Sequence, residues 1–585
     1  MNNYLLLFAF VVLIILLVID KWKASLVFGG VAVFLMTFGI ITPSNFLAGF
    51  ANESIIIIFL LMIITAIINE HFDFINVFGN YLNKAKTTQN FLLKMGFGVG
   101  SISSFINNTP IVAIMLPYVY DWGKKRNIAP SLLLIPLSYM TVLGGMITVI
   151  GTSTNLVLNG FIIAKGLTPL STFDFLVPGI LVTITGVLFI SFLGFRLLPQ
   201  NKDIISEAKF NLKEYIIEIE VVPSSKIIGK TVLEAELRNL EGIFLIEILR
   251  QSKIISPVEP NEIIFEGDKL FFAGETSKVV NLINQNKGLQ LPSQHKALYE
   301  NGLEIVETVI PPNSELVGKS LKEFQFRNRY DAAVIAIHRN GERVKGKIGE
   351  VILDKGDLLM LSVGKNFAEK NKQDKNFYLI SMLKKVPKKS KDKNTIIMVS
   401  TLILLFLLAF GSINFFVFLI LLIVLFFLFG YTNLNLIKKQ ISIDLLIVLG
   451  SSISISNALI NSSLSTQLAN LFSGFIGHGN PILAIVFIYI ITVFLTSFIT
   501  NAAAVAIIFP IGFALITALN LNATPVFLTI AFGASCCFLT PIGYQTNLMV
   551  YGPGNYKFND FLKLGIPLTI LYSTITLVWI IYYYL

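Results

Sequence analysis

Charged residues are scarce in this chain of 585 residues. Asp, Glu, Lys and Arg together make up 14% of it and hydrophobic residues 54%, with a mean hydropathy of +0.74, whereas soluble domains are roughly a quarter charged. This composition excludes an ordinary soluble protein and indicates a membrane protein. Cysteine is nearly absent as well: Cys536 and Cys537 are adjacent in an apolar run, which excludes a disulfide framework and a zinc site built on cysteine.

The charges that are present cluster in one segment. Residues 201–393 hold 31 of the 45 Lys and Arg residues and 27 of the 35 Asp and Glu residues. The segment is nearly neutral and has no basic arm with interleaved aromatic residues, so we expect no nucleic-acid partner despite the formal net charge of +10. The pattern predicts one soluble domain between two membrane halves, with the basic run Lys384 to Lys393 at the surface of the lipid bilayer.

The apolar runs predict ten membrane spans and two hairpins. A spanning helix needs roughly 20 mostly apolar residues. Two runs, 91–122 and 481–518, are too long for one span and carry Asn and Thr near the middle, which favours re-entrant hairpins. The ten spans are expected near residues 4–20, 24–41, 52–70, 131–165, 175–198, 394–410, 412–430, 441–460, 523–553 and 561–584.

The basic residues of the membrane halves predict the orientation. If residues 200–393 are cytosolic, this threading places nearly all of them on the cytosolic side and only Lys165 outside, as the positive-inside rule requires. We therefore expect a multi-pass protein of the cell (plasma or inner) membrane. The first hairpin would enter from the cytosol and the second from the opposite side.

The two membrane halves are related in sequence. Five spans per half is an odd number, so the second copy must lie inverted relative to the first, as in secondary transporters. Three blocks match in the same order: 103–117 with 496–510, 150–156 with 542–548, and 174–179 with 560–565.

The soluble insert is also duplicated. Residues 225–231 align with 314–320 at a constant offset. At the same offset, Arg238 aligns with Arg327, Arg250 with Arg339 and Asp268 with Asp357. Each copy alternates short β-rich runs with Gly and charged turns, which predicts two small α+β modules; the clearest runs are 243–248, 333–337 and 358–363.

The predicted fold class follows from both duplications. We expect an α-helical polytopic membrane protein of two inverted repeats, each with a re-entrant hairpin and a broken helix, plus a soluble α+β insert. The domain boundaries are 1–199 for membrane repeat 1, 200–290 for the first module, 291–393 for the second module with its basic linker, and 394–585 for membrane repeat 2.

The broken helices are the candidate functional sites. In hydrocarbon, a broken helix persists only where it is buried in protein or lines a cavity, because each unsatisfied backbone group costs several kcal/mol. Carbonyl and hydroxyl oxygens at such breaks suit a hard cation, and helix N-termini suit an anion. Four segments carry Asn, Thr or Ser beside Gly, Ala or Pro: 107–109 and 500–502 at the hairpin tips, and 151–155 and 543–547 in the interrupted helices.

Both hairpin tips and both Gly-x-x-Thr-Asn breaks resemble the divalent anion/sodium symporter (DASS) family, in the superfamily that includes arsenite and sodium/proton transporters. The resemblance implies a secondary active transporter rather than an enzyme, and a homodimer with elevator-type movement of the site. It implies a small anionic substrate, such as sulfate or a dicarboxylate. It also implies two sodium ions as coupling ions, with no organic cofactor.

The resemblance also implies roles for individual residues. The first sodium site would comprise Ser103, Asn107, Asn108 and Gly151. The second would comprise Thr496, Thr500, Asn501 and Gly543. The anion contacts would be Asn108, Thr109, Asn501 and Thr546, with Thr154, Asn155 and Asn547 as further candidates in the same breaks.

The chain departs from the family's Ser-Asn-Thr tips at three positions. Asn107 and Thr500 stand in place of the serines, and Ala502 in place of the second threonine. Because Ala502 has no hydroxyl, we expect a less demanding anion than a dicarboxylate. The two modules resemble TrkA-C domains, which implies a small regulatory ligand, and family members with such inserts resemble algal and plant sulfate transporters. These points favour sulfate.

No Lys or Arg lies at any of the four breaks. Bound cations and helix dipoles must therefore neutralise the anion, so we expect anion affinity to rise when sodium is bound.

Other functions stay open at this stage. A sodium/proton antiporter or an arsenite-type exporter of the same superfamily is the main alternative. The insert alone would also fit a ligand-gated cation channel or a potassium transport component, although the chain has no T-V-G-Y-G-like filter. A membrane-embedded enzyme is disfavoured because no His/Asp/Glu or Ser/His constellation gathers in the apolar halves.

Overall fold

The structure is a computed structural model of the whole chain. It describes residues 2–19, 22–51, 53–71, 79, 81–201, 216–237, 240, 243–251, 253–255, 258–274, 289–290, 305–311, 314–339, 342–344, 348–363, 367, 370, 376–379, 404, 413–432, 443–462, 467 and 480–585. The predicted span 394–410, the linker run Lys384 to Lys393 and Arg238 lie outside the described residues, Leu404 excepted.

The N-terminal membrane half is helical throughout its described part. Several helices begin at a side-chain cap, which satisfies a backbone amide at the first turn: Thr42 accepts from Asn45 N, and Thr87 accepts from Asn90 N. The helices are α1 (Asn2–Ile19), α2 (Ala24–Thr37), α3 (Pro43–Phe50), α4 (Glu53–His71), α5 (Thr88–Ser103), α6 (Asn108–Lys125), α7 (Leu134–Gly145), α8 (Ser153–Ala164) and α9 (Thr172–Phe192).

The insert forms two five-stranded antiparallel sheets with the same strand order. The first runs β3-β2-β4-β1-β5 and the second β8-β7-β9-β6-β10, so each strand of one has a counterpart in the other. The three expected β-rich runs lie in β2, β7 and β9. The elements are β1 (Ile216–Val221), β2 (Ile243–Arg250), β3 (Lys253–Ile255), β4 (Lys269–Gly274), β5 (Leu289–Gln290), β6 (Ile305–Val309), α10 (Phe326–Tyr330), β7 (Ala332–Arg339), β8 (Glu342–Arg343), β9 (Leu358–Val363) and β10 (Tyr378–Leu379).

A buried ion pair repeats in both modules. Arg250 Nε donates to Asp268 Oδ1 at 2.9 Å, and Arg339 Nε donates to Asp357 Oδ1 at 2.7 Å. Each arginine also donates a second hydrogen bond to the other oxygen of its aspartate. Burial raises the pKa of Asp357, while Arg339 opposes that rise. Two of the residue pairs that align in the sequence repeat therefore form the same arginine–aspartate ion pair in each module.

The second membrane half follows the same order of elements as the end of the first. Helices α13 and α14 form a hairpin, as α5 and α6 do, and α15 and α16 are the two parts of an interrupted helix, as α7 and α8 are. The helices are α11 (Phe415–Leu428), α12 (Ile443–Ile460), α13 (Pro481–Thr496), α14 (Asn501–Leu519), α15 (Ala523–Ser535), α16 (Gln545–Tyr551) and α17 (Phe558–Tyr584).

The helices break where the sequence predicts. Residues 104–107 and 497–500 interrupt the hairpins, and residues 146–152 and 536–544 interrupt the spans predicted at 131–165 and 523–553. The prediction missed α3, which precedes the span at α4.

The number of ten spans stays a prediction, because the structure describes only part of several of them. Within the described residues, three helices are both long and apolar enough to cross a membrane: α9, α14 and α17; the bent pair α3 and α4 makes a fourth. Further apolar helical segments within the described residues, such as Asn3–Leu17 and Leu446–Ile460, have 10 to 17 residues, and at 1.5 Å per residue each by itself is shorter than a hydrocarbon core of about 30 Å. Helix α2, for example, stops at Thr37 before a turn through Gly39 at φ +70°. Since α14 can cross a membrane by itself, the re-entrant character of the second hairpin stays a prediction.

The two membrane halves pack against each other through their broken segments. Helix α8 lies against α14, and α16 lies against α6 and α7. The second part of each interrupted helix therefore contacts the opposite hairpin. The large buried core also includes residues of both sheets, among them Phe271 and Leu358, so the insert is packed on the membrane helices.

Removing Arg339 should loosen the second module. Arg339→Ala leaves the Asp357 carboxylate, whose side chain is 0% exposed, without its arginine partner. We expect the opening free energy of β7 and β9 to fall by about 2 kcal/mol, the typical value of a charged hydrogen bond, as measured by amide hydrogen exchange on the full-length protein.

The matched control is Arg329→Ala. The ion pair of Arg329 with Glu315 has side chains 49% and 62% exposed, so its loss should cost less than about 1 kcal/mol. Equal losses of protection in the two variants would contradict a specific role for the buried pair.

Candidate functional site

The first hairpin tip gathers oxygen atoms in the protein interior. Ser103 ends α5 and Asn108 begins α6, and both are buried. Ser103 Oγ lies 2.5 Å from Asn108 Oδ1 and 2.8 Å from the carbonyl oxygen of Thr141 on α7. A hydroxyl has one proton for these two acceptors, so at least one oxygen retains a lone pair for another ligand.

The second hairpin tip repeats this arrangement. Thr496 Oγ1 donates to Asn501 Oδ1 at 2.9 Å and lies 2.6 Å from the carbonyl oxygen of Ala534. The sequence separations between the paired residues are the same as at the first tip, 5 and 38. The two halves therefore share one hydrogen-bonding pattern as well as one sequence pattern.

Each interrupted helix is held at its hairpin tip by a threonine. In the first half, Thr148 Oγ1 donates to the carbonyl oxygen of Ser104 and accepts from Gly151 N at 3.1 Å. In the second half, Thr540 Oγ1 donates to the carbonyl oxygen of Ser497 at 2.5 Å and accepts from Gly543 N at 3.0 Å. One hydroxyl thus satisfies a backbone group on each side of the contact.

Glycine is required where backbone oxygens converge at the first site. A Cβ built on Gly151 would lie 2.5 Å from the Gly145 carbonyl oxygen and 2.6 Å from that of Ser103. A Cβ on Gly145 would lie 2.7 Å from Asn108 Oδ1 and 3.3 Å from the Gly151 carbonyl oxygen. Neutral oxygens arranged this closely are the kind of ligands that a hard cation takes.

The corresponding glycine of the second site is equally confined. A Cβ on Gly543 would lie 2.8 Å from the Thr496 carbonyl oxygen and 3.3 Å from Thr540 Oγ1. Asn501 Nδ2 faces Cys537 Sγ at 3.9 Å, a weak partner. The two buried cysteines are therefore small core residues beside this tip.

The first tip is tied to the opposite break. Asn108 Nδ2 donates to the Tyr544 hydroxyl at 2.9 Å, and Thr109 Oγ1 donates to Gln545 Oε1 at 3.3 Å. Tyr544 and Gln545 stand at the start of α16, so residues 436 positions apart in the chain form one polar cluster.

A second contact between the halves involves Ser138 of α7. Ser138 Oγ lies 2.7 Å from Thr546 Oγ1 and 2.7 Å from Asn547 Oδ1. Thr546 lies in the first turn of α16 and is buried. Because Ser138 has one proton for these two acceptors, the proton of Thr546 is available to a ligand only when Ser138 donates to Thr546 rather than to Asn547 Oδ1. Thr154, its counterpart in α8, accepts from Thr152 Oγ1 at 3.2 Å.

Two expected anion contacts have their amide donors directed at backbone. Asn155 Nδ2 donates to the carbonyl oxygen of Thr148 at 3.2 Å, and Asn547 Nδ2 donates to those of Cys537 and Thr540 at 2.8 and 3.1 Å. This geometry favours a bracing role for both asparagines, because an anion needs those same donors. Asn155 Oδ1 is buried without a hydrogen-bond partner among the described residues.

The two substituted tip residues lie at the edge of the clusters. Thr500 is exposed, and its hydroxyl accepts from Ala503 N at 3.4 Å as the N-cap of α14. Asn107 is the N-cap residue of α6, with no side-chain capping bond, and is partly exposed. Neither side chain joins the buried oxygens of Ser103 and Asn108 or of Thr496 and Asn501.

Sequence reasoning missed several residues of the cluster. Thr148 and Thr540 each precede the site glycine by three residues in a shared Thr-x-Ile-Gly pattern, so the repeat itself carried the signal. Tyr544 and Gln545 had no such signal, because their contacts with the first tip depend on how the halves pack.

The electrostatics of the site come from neutral groups. Residues 103–109, 146–155, 496–502 and 536–547 contain no Lys, Arg, Asp or Glu. In the described part of the chain, no group of three His, Cys, Asp or Glu residues gathers as a metal site. Helices α6 and α14 begin at Asn108 and Asn501, so their positive N-terminal ends lie at the tips.

The chain matches two family models, which together cover residues 11–585. Residues 11–419 match the model described as Citrate transporter, and residues 368–585 match the Sodium:sulfate symporter transmembrane region. Uncharacterized transporter sll0640 of Synechocystis sp. is 33% identical, covering 94% of this chain and 92% of its own.

Two further relatives come from a bacterium and an alga. Uncharacterized transporter YfbS of Escherichia coli is 26% identical over 93% of this chain and 92% of its own. Sodium/sulfate cotransporter 1 of Chlamydomonas reinhardtii is 29% identical over 61% of this chain and 42% of its own. With a family model over more than half of its length and a 33% identical transporter over nearly all of it, this chain belongs to the ion-transporter family of membrane permeases.

Proposed function

We propose that this chain is a sodium-coupled symporter of a small divalent anion, with sulfate as the expected substrate and a dicarboxylate as the alternative. The observation that carries the proposal is the pair of matched oxygen clusters at the two hairpin tips, in segments with no charged side chain. The name of the algal sodium/sulfate cotransporter supports sulfate as the substrate. The match to the citrate-transporter model is the reason for testing a dicarboxylate as the alternative.

The two sodium ions would occupy the two clusters. The first site comprises Ser103, Asn108 and the carbonyl oxygens around Gly151; the second comprises Thr496, Asn501 and those around Gly543. Asn107 and Thr500 can contribute through their backbone only, because their side chains lie outside the clusters.

The anion would bind between the tips and the breaks. The proposed contacts are Thr546, Thr109 and the amide of Asn501, and Thr109 would have to release Gln545 Oε1 to donate to the anion. Helices α6 and α14 begin at the two tips. Without a Lys or Arg, the anion depends on the two sodium ions for opposite charge. Sodium binding and anion binding must then favour each other to the same extent, which couples the occupancy of the two kinds of site.

The proposed function includes a membrane arrangement that would let the site move. Inverted repeats in a plasma or inner membrane, acting as a homodimer with elevator-type movement, would expose the cluster to one side at a time. The hairpin that carries each tip packs against the half-helix of the other repeat, so the tips and breaks can move as one unit.

The insert would regulate this movement from the cytosol as two TrkA-C-like modules that bind a small ligand. It contacts two segments whose other ends carry residues of the proposed site. Tyr120 of α6 donates to Glu307 of β6 at 3.4 Å, and a Cβ on Gly552, just after α16, would lie 2.8 Å from the carbonyl oxygen of Gly356 in the turn before β9. A shift of the second module therefore reaches both helices.

Sodium-driven uptake tests the proposed function directly. In proteoliposomes we expect labelled sulfate to accumulate with an inward sodium gradient and not with an inert cation in its place. Succinate, citrate and phosphate are the comparison anions. Sulfate flux at the same rate without sodium would refute the coupling, and uptake of succinate or citrate alone would assign the alternative substrate.

The tip asparagines should be essential for that flux. Asn108→Ala and Asn501→Ala each remove a buried amide oxygen from a cluster, so we expect sodium-dependent uptake to fall at least about ten-fold. Asn83→Ala, an exposed position before α5, is the control and should transport normally. Normal uptake by both tip variants would show that the site lies elsewhere.

Filling the glycine space should abolish cation binding at the first site. In Gly151→Ala the new methyl group lies among the carbonyl oxygens, so we expect the sodium-dependent rise in melting temperature of the purified protein to be reduced. Gly30→Ala in α2 is the control, because a Cβ there meets nothing within 4 Å. An unchanged sodium response in Gly151→Ala would exclude this cluster as a sodium site.

A further inference from the structure

The two breaks differ at one pair of positions. Where the first break has Thr152 and Ser153, the second has Tyr544 and Gln545. The longer tyrosine side chain reaches the other repeat and accepts a hydrogen bond from Asn108 Nδ2 at 2.9 Å. In the described residues, no matching hydrogen bond runs from the first break to Asn501, whose amide faces Cys537 Sγ at 3.9 Å.

The tyrosine hydroxyl fixes the orientation of the Asn108 side chain. With Nδ2 bonded to Tyr544, Oδ1 points to Ser103 Oγ and the backbone oxygens around Gly145 and Gly151. If the amide rotated by half a turn, its NH2 group would face those oxygens and occupy the position of a cation. Only one of the two rotamers can therefore bind a cation.

Tyr544 also belongs to the anion side of the site. It is the residue that precedes α16 and its φ and ψ of −148° and 146° are those of an extended N-cap, two residues before Thr546. Its own hydroxyl proton can be donated to a ligand while its oxygen accepts from Asn108. A single phenol group thus contacts the cation ligand of one repeat and stands in the anion-binding break of the other.

We propose that Tyr544 is a positioning residue that couples the first cation site to the anion site. This inference rests on the proposed function and adds the physical link between its two ligands. When Oδ1 of Asn108 binds a cation, its amide NH2 polarises further and bonds Tyr544 more strongly, which makes the phenol proton a better donor to the anion. The second cation site lacks this link, so coupling runs mainly through the first.

Tyr544→Phe tests the link because it removes the hydroxyl and keeps the ring. The sodium concentration that half-saturates the thermal stabilisation of the purified full-length protein, measured without any anion, should rise by about ten-fold. The control is Tyr572→Phe on α17, which also removes a buried tyrosine hydroxyl; that hydroxyl donates to the Phe532 carbonyl oxygen at 3.3 Å. The control should leave the sodium midpoint unchanged. Equal midpoints in wild type and Tyr544→Phe, or equal shifts in both variants, would overturn the proposal.

A double-mutant cycle shows whether Tyr544 acts through Asn108. If it does, Tyr544→Phe should have no further effect on the sodium midpoint in the Asn108→Ala background, whereas independent roles would give additive shifts and overturn the proposal. Should Tyr544→Phe not yield folded protein, Tyr544→Leu in the same cycle replaces it. This titration contains no anion, so it tests the role of Tyr544 separately from the proposed function. If wild-type protein failed to take up sulfate with sodium, the symport would be refuted and the role of Tyr544 would still be decided by the titration.

Discussion

The membrane part is constrained by backbone N–H and C=O groups that have no hydrogen-bond partner within their own helix. These groups occur where helices stop inside an apolar bundle. Each such group must find a partner, because no water or neighbouring turn supplies one. Thr148 and Thr540 meet part of this requirement: each hydroxyl bonds one carbonyl oxygen of a hairpin tip and one amide of the interrupted helix. Once those groups are satisfied, the carbonyl oxygens around Gly151 and Gly543 remain directed inward. The same constraint that permits the breaks therefore creates the oxygen clusters.

The clusters belong to neither half alone. Each half supplies a hairpin whose tip needs the half-helix of the other for cover, and the polar contacts from Asn108 to Tyr544 and from Ser138 to Thr546 cross that interface. The halves share their internal hydrogen bonds but differ in these crossing ones. Two tips with the same internal hydrogen bonds thus lie in unequal surroundings.

The insert shows how a soluble domain can act on such a site. Each module is closed by a buried aspartate bonded twice by an arginine, and the two sheets meet where Ser362 of β9 donates to Glu247 of β2. The turn that the Arg339 and Asp357 pair holds in place also carries Gly356, which lies close to Gly552 at the end of α16. The second module therefore lies directly against the end of the interrupted helix.

The sequence by itself determined the broken helices, the two sheets and the family, because apolar runs interrupted by Asn, Thr and Gly leave few structures in which backbone groups are satisfied. It also aligned Ser103 and Asn108 with Thr496 and Asn501, and each pair forms the same hydrogen bond in the structure. Only the tertiary structure decided that Asn155 and Asn547 direct their amides at backbone, that Thr500 faces outward, and that Tyr544 reaches Asn108. Those outcomes depend on how the two halves pack together, which brings into contact residues 436 positions apart in the chain. Such contacts leave no local sequence pattern, because they do not change which residues stand next to either partner in the chain.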